Sequence, residues 1–128
     1  MIEKEILKKY FGHDDFRFGQ LEIIRAILNN ENVLAILPTG AGKSICYQIP
    51  ALIQNNFSIV ISPLIALMKD QVDSLNKVEE AAAFINSTLD YFETEKVLRE
   101  IESKKIKLLY LAPEKLNNLD FAERLKSL

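Results

Sequence analysis

The stretch Val33-Leu34-Ala35-Ile36-Leu37-Pro38-Thr39-Gly40-Ala41-Gly42-Lys43-Ser44 decides the reading of this chain. Its five leading apolar residues have the character of a strand buried on both faces. A glycine-rich turn follows, and Gly-Lys-Ser opens a segment that can be helical. Strand, glycine loop and helix in that order make a phosphate-binding loop. Glycine lets the backbone curl until several N–H groups converge on an anion. The helix adds its unpaired N–H groups and roughly +0.5 of a charge at its N-terminus. Thr39, Gly40, Ala41 and Gly42 would form the cradle, and Lys43 would set its ammonium on the β- and γ-phosphates. Ser44 would give its hydroxyl to Mg²⁺. The general pattern has glycine where Leu37 stands, so this loop departs from it at one position.

On either side of the loop the apolar spacing outlines further elements. Residues 2–11 carry Ile2, Ile6, Leu7 and Tyr10 at helical spacing, and 20–29 repeat the pattern with Leu21, Ile24, Ile27 and Leu28. Residues 43–53 continue the loop as a helix. Ser58 to Ser62 is β-branched and reads as a strand stopped by Pro63. A helix over 64–75, a weaker strand over 81–85, and a helix to about 103 capped by Ser87 or Thr88 come next. A strand over 106–111 and a short helix near 121–125 close the sequence. Strands alternating with helices of about 10–15 residues predict βαβ units and a parallel sheet. The fold class is therefore α/β, a P-loop type of parallel sheet flanked by helices. Ligands in such sheets bind at the carboxyl ends of the strands. The phosphate loop, Ser62-Pro63 and Pro113-Glu114 all lie at such ends and are expected on one edge.

The chain has 128 residues, 48% of them hydrophobic and 27% charged, enough for one globular domain with a real core. A formal net charge of -2 excludes a generally basic coat while leaving room for a local basic strip. The single cysteine, Cys46, rules out an internal disulfide or a cysteine-rich metal site, and its place in the loop's helix suits a small buried apolar residue. No stretch approaches the ~20 apolar residues that span a bilayer. The opening Met-Ile-Glu-Lys-Glu lacks the layout of a signal peptide. No membrane partner and a reducing, cytoplasmic location are the expectation.

Pro-Thr-Gly-x-Gly-Lys-Ser is a form of the loop associated with helicase-type motors, and other segments agree with it. They are Phe11 to Gln20, Ile45-Cys46-Tyr47-Gln48-Ile49-Pro50, Ser62 to Val72, Asn86-Ser87-Thr88 and Leu108 to Leu116. In this order they resemble the N-terminal motifs of RecQ-family ATP-dependent DNA helicases, from about Leu7 to Leu116. The resemblance implies that 1–128 is the N-terminal part of the first, RecA-like motor domain. ATP and Mg²⁺ would be its cofactors, and single-stranded or partly duplex DNA its partner. Movement 3′-to-5′ on DNA and a role in repair and recombination follow from the family alone. Gln20 would read the adenine edge through its amide donor and acceptor. Arg17 would bond or stack nearby, and His13 stands where the family commonly has a stacking aromatic. Phe18 replaces a frequent proline. Ser62, Pro63, Leu64, Lys69 and Gln71 fall in the segment that contacts the DNA backbone, where a strand end meets a helix N-terminus. Asn86, Thr88, Glu114 and Lys115 are further DNA-contact candidates.

Phosphoryl transfer also needs an acidic residue on Mg²⁺ and a group that orients water. In the resembled family an Asp-Glu-Ala-His motif supplies both, and this sequence does not contain it. Glu114 follows an apolar strand, but Ala-Pro-Glu-Lys-Leu matches a different family segment. The second motor domain, with its arginine finger, and the zinc-binding and winged-helix regions are also absent. The expectation is a fragment that binds nucleotide without hydrolysing it, completed by the remainder of a helicase chain. Without the acidic strand and its neighbour, the phosphate-loop strand would lose its sheet partners, leaving the isolated chain marginally stable or rearranged. Two other classes share the loop. A small P-loop kinase would need arginines clustered in a lid, whereas Arg17, Arg25, Arg99 and Arg124 are scattered. A non-hydrolysing nucleotide-binding module is the other.

Overall fold

A computed structural model describes residues 1–38, 40 and 42–128, leaving Thr39 and Ala41 of the phosphate loop outside the described residues. The chain divides into two compact units, Met1–Gln54 and Asn55–Leu128.

The first unit is helical. Helix α1 (Ile2–Ile6) runs on into a π-helical turn, Leu7–Phe11, which Gly12 ends in the left-handed conformation at φ 75°. Helix α2 spans Gln20–Leu28 and α3 spans Lys43–Ile53. The apolar sides of the π-helical turn, α2 and α3 meet at Leu7, Ile24 and Ile49, all buried, with Phe11, Phe16, Leu28, Ile45 and Ile53 packed around them. The strand expected over 33–37 does not form. No described residue pairs with it, and Leu34 and Ile36 are 90% and 88% exposed. An all-apolar strand is stable only between neighbours that satisfy its N–H and C=O groups and cover both faces. Among the described residues those neighbours are lacking, so the segment forms no regular secondary structure.

The second unit carries the sheet. Strand β1 (Ser58–Ile61) leads through α4 (Ile65–Asn76) to β2 (Ala82–Ile85), and α5 (Tyr91–Glu102) leads to β3 (Leu108–Leu111). A 3₁₀ turn at Pro113–Asn117 and α6 (Leu119–Lys126) complete it. The strands are parallel in the order β1-β3-β2, with Leu108 opposite both Ser58 and Ala82. Central β3 is buried throughout, as its unbroken apolar sequence requires. β1 has one open edge and leaves Ile59 and Ile61 partly exposed. Beneath α5 and α6, Ile85, Leu98, Ile101, Ile106, Leu109, Leu111 and Leu125 form the core.

Short polar side chains fix the turns. Asn76 donates from Nδ2 to the Ala82 carbonyl and accepts from the Ala81 and Ala82 N–H groups, closing the α4–β2 connection. Helix α5 is capped by Asp90, not by Ser87 or Thr88. Asp90 accepts from the Glu93 N–H, and the Glu93 side chain accepts from the Asp90 N–H. This reciprocal pair satisfies two donors where a lone hydroxyl satisfies one, so the helix starts later than a Ser87 or Thr88 cap would set it. Asn118 caps α6.

Burial, then the neighbouring Glu80 carboxylate, push the Glu100 carboxyl above its ordinary value of 4.5, with Lys96 and then Lys105, 4.0 Å away, opposing. A raised carboxyl holds its proton more tightly folded than unfolded. Its unfavourable contribution therefore grows as pH rises through and above the ordinary value. Glu100→Gln should raise the urea midpoint at pH 7, and the gain should vanish at pH 4. A gain equal at both pH values would remove Glu100 titration as its cause.

Candidate nucleotide site and nucleic-acid interface

In the first unit the sequence places Lys43 at the opening of α3, directly after Gly42 at φ 76°. The first turn of any α-helix leaves N–H groups without intrahelical partners, and Lys43 and Ser44 sit in that turn. Gly40 is also left-handed, at φ 83°, a conformation that costs glycine nothing. A Cβ at Gly42 would overlap Nε2 of Gln20.

The segment that precedes α2 reaches this loop. Arg17 donates from its guanidinium to the Gly40 carbonyl, and Gln20 donates from Nε2 to the Gly42 carbonyl at 3.1 Å. Gln20 also accepts at Oε1 from the Arg17 N–H at 2.8 Å. A cavity of about 410 Å³ opens on one side of this segment, beside Phe16 and Phe18. A second of about 360 Å³ is lined by His13, Arg17, Gln20, Gly40 and Gly42, with Leu7, Asp15 and Ile45. The second contains the described loop glycines Gly40 and Gly42 and is the candidate nucleotide pocket, with a volume that suits a small ligand. It brings together His13, Arg17, Gln20, Gly40 and Gly42, while Thr39 and Ala41 lie outside the described residues. Asp15, Leu7 and Ile45 had no sequence signal as lining residues beyond their nearness to the motifs.

The donor set fits a polyphosphate: first-turn N–H groups that lack intrahelical partners, left-handed glycines and the exposed Lys43 at one helix start. Ser44, in the same first turn of α3, is the candidate hydroxyl for Mg²⁺. No group of three or more His, Cys, Asp or Glu side chains able to hold a metal occurs among the described residues. Cys46 is buried one turn along α3 with its thiol 3.8 Å from the Gly42 carbonyl, and burial pushes that thiol up. It is a packing residue, not a nucleophile.

In the second unit the sheet order brings three strand ends side by side. The Ser62 N–H donates to the Leu111 carbonyl, and the Ala112 N–H donates to the Ile85 carbonyl. The segments starting at Ser62, Asn86 and Pro113 therefore share the carboxyl edge of the sheet, as expected for these three. Ser62 Oγ accepts from the Leu64 N–H at 3.2 Å, shaping the approach to α4. Pro63 and Leu64 are exposed beside it. Lys69 is exposed and pairs with Asp73 at 2.9 Å, which raises its pKa. Such a surface pair contributes little and is open to exchange for a phosphate. Gln71 lies on the same helix.

Asn86 is 1% exposed, so its part in any interface is indirect. Its Oδ1 accepts from both the N–H and the hydroxyl of Thr88, and its Nδ2 faces the Met68 sulfur. It holds Thr88 at the sheet edge. Glu114 and Lys115 sit in the 3₁₀ turn, where the Lys115 N–H donates to the Ala112 carbonyl.

Residues 17–128 match the model of the DEAD/DEAH box helicase family. The chain belongs to that family. Among curated helicases, it is 46% identical to ATP-dependent DNA helicase RecQ of Bacillus subtilis (strain 168), over 98% of this chain and 21% of that protein. It is 47% identical to ATP-dependent DNA helicase RecQ of Haemophilus influenzae, over 94% of this chain and 20% of that one. ATP-dependent DNA helicase Q5 of Rattus norvegicus is 40% identical over 98% of this chain and 13% of its own length. The chain thus spans about a fifth of the length of its bacterial helicase relatives. The resemblance to RecQ helicases read from the motifs holds across nearly the whole chain. The α/β class also holds, with the three-stranded parallel sheet and its helices in the second unit. Among the described residues, no helix is long and apolar enough to cross a membrane.

Proposed function

We propose that this chain is the N-terminal segment of the first, RecA-like motor domain of an ATP-dependent 3′-to-5′ DNA helicase acting in the cytoplasm in repair and recombination. Gly40, Gly42, Lys43 and Ser44, with Thr39 and Ala41, bind Mg-ATP. Arg17, Gln20 and His13 face the base. Ser62 to Gln71, with Thr88, Glu114 and Lys115 on the neighbouring strand ends and Asn86 behind Thr88, follow the backbone of single-stranded DNA. Contacts of this kind give affinity and register, not sequence preference. The observation that supports the reading is that Arg17 and Gln20 bond to the carbonyls of Gly40 and Gly42 and line one cavity with them and His13.

Bound ATP and Mg²⁺ would supply the transferable phosphoryl group and the charge that polarises it. The residues of this chain bind and orient. The acidic residue and the arginine that turnover requires come from the rest of the helicase.

The test is ATPase activity with and without single-stranded DNA, in the intact protein and in the 128-residue chain. DNA-stimulated turnover by the intact protein alone is expected. Turnover that depends on a small-molecule acceptor would point to a kinase, and tight binding without any turnover to a binding module. DNA-stimulated hydrolysis by the 128-residue chain would show that the acidic strand is dispensable.

A further inference from the structure

We infer that Asn76 plugs a strand-pairing edge: its carboxamide occupies the open side of β2 and keeps that side from joining a second copy of the chain. β2 comes last in the order β1-β3-β2, so among the described residues only one of its sides has a strand beside it. A strand turns the backbone groups of alternate residues to opposite sides. The Ala81 carbonyl accepts from the Leu108 N–H, and the Ile85 carbonyl accepts from the Ala112 N–H. Residues 81, 83 and 85 therefore serve β3. Ala82 and Phe84 present their backbone groups to the open side.

That side suits a further strand. β1 reaches β2, and β2 reaches β3, by crossings in opposite directions, so right-handed connections put α4 and α5 on opposite faces. A cleft of about 280 Å³ touches both helices and β2, which sets it on the strand's rim. Val72 of α4, Ala82 and Phe84 of β2, and Leu89 and Val97 on the α5 side give it apolar walls. Unpaired edges of this kind add strands from other chains. Lys96 and Glu100 of α5 also line the cleft. Two copies related by a two-fold axis run antiparallel, so the lysine of each can meet the carboxylate of the other. A second copy therefore fits this edge in charge as well as in backbone pattern.

Asn76 stands in that strand's place. It is the last residue of α4. Its Oδ1 accepts from the Ala81 and Ala82 N–H groups at 2.9 Å each, and its Nδ2 donates to the Ala82 carbonyl at 2.8 Å. A side-chain amide carries the donor and the acceptor of a peptide group. Both edge-facing groups of Ala82 are thus bonded as a neighbouring strand would bond them. At the other end the Asn86 carbonyl accepts from the Leu89 N–H as the chain turns. Phe84 is left between two occupied positions, a shorter stretch than the roughly three residues of the shortest strands.

Sedimentation of the intact protein over a concentration series tests the plug. Asn76→Ala frees Ala82 and should about double the sedimenting mass at high concentration, reversibly on dilution. Phe84→Pro removes an edge-facing N–H and leaves the β3 ladder whole, so the Asn76→Ala, Phe84→Pro double variant should sediment as wild type. A mass unchanged in Asn76→Ala would overturn the inference. So would association that survives Phe84→Pro or fails to reverse on dilution. Amide exchange in the wild type decides the matter independently of how either variant folds. The Ala82 amide should exchange about ten-fold more slowly than the Phe84 amide. Equal exchange at the two positions would mean that Asn76 does not occupy the edge, and the plug would be refuted.

Discussion

Lys43→Ala should abolish measurable ATP binding and reduce DNA-dependent ATP turnover by about 10²–10³-fold, the range seen when one preorganised charge-stabilising donor is removed. Lys43 is the first residue of α3, and its side chain is exposed. Removing it therefore leaves the fold of the unit unchanged within about 0.5 kcal/mol, and the loss is assignable to the site. The ammonium is a compact point charge on a flexible stem. Lys43→Arg keeps the charge but presents a planar fork, so it should restore only part of the affinity. The measurements are ATP titration by calorimetry and steady-state ATPase with saturating single-stranded DNA. Unchanged ATP affinity in Lys43→Ala would refute the assignment of the loop.

Leu109→Ala should be the most damaging conservative change to the sheet, costing about 2–5 kcal/mol. Leu109 lies in central β3, is fully buried, and packs with Ile85, Ile101 and Leu111 under α5 and α6. Two strands flank it, so neither side can collapse into the void. A whole domain commonly has only about 5–15 kcal/mol of stability, so a loss of this size unfolds a large share of the molecules. Ile59→Ala on the open edge strand β1 should cost about 1 kcal/mol or less, since solvent already reaches that side chain. Urea unfolding followed by far-UV circular dichroism compares the two. Equal losses would mean that β3 is not the centre of the sheet.

The helices were legible because their apolar spacing is strong. α2 carries Leu21, Ile24, Ile27 and Leu28 on one side, and α3 starts at the Gly-Lys-Ser that announces it. Strands β1 and β3 announced themselves by short apolar runs bounded by proline, and their parallel pairing followed from the intervening helices. Two local choices were not legible. The cap of α5 depended on Asp90 and Glu93 answering each other, which outcompetes the nearby Ser87 and Thr88. Asn86 was visible as a polar residue after a strand, yet only its burial shows that it supports Thr88 from behind.

Residues 33–37 mark the boundary between the two kinds of information most clearly. Their composition specifies a strand buried on both faces, but a strand is completed by its neighbours, and the described residues offer none. The amino-acid sequence alone carried the phosphate-loop motif at Gly40, Gly42, Lys43 and Ser44, the helix and strand periods, and the likeness to RecQ helicases. These depend on residue type and spacing, which local physics can read. Tertiary structure alone decided the sheet order β1-β3-β2, the loss of the 33–37 strand and the grip of Arg17 and Gln20 on the loop carbonyls. Those depend on which groups meet across more than twenty residues of chain, and hydrogen bonds at that separation are set by packing, not by local sequence.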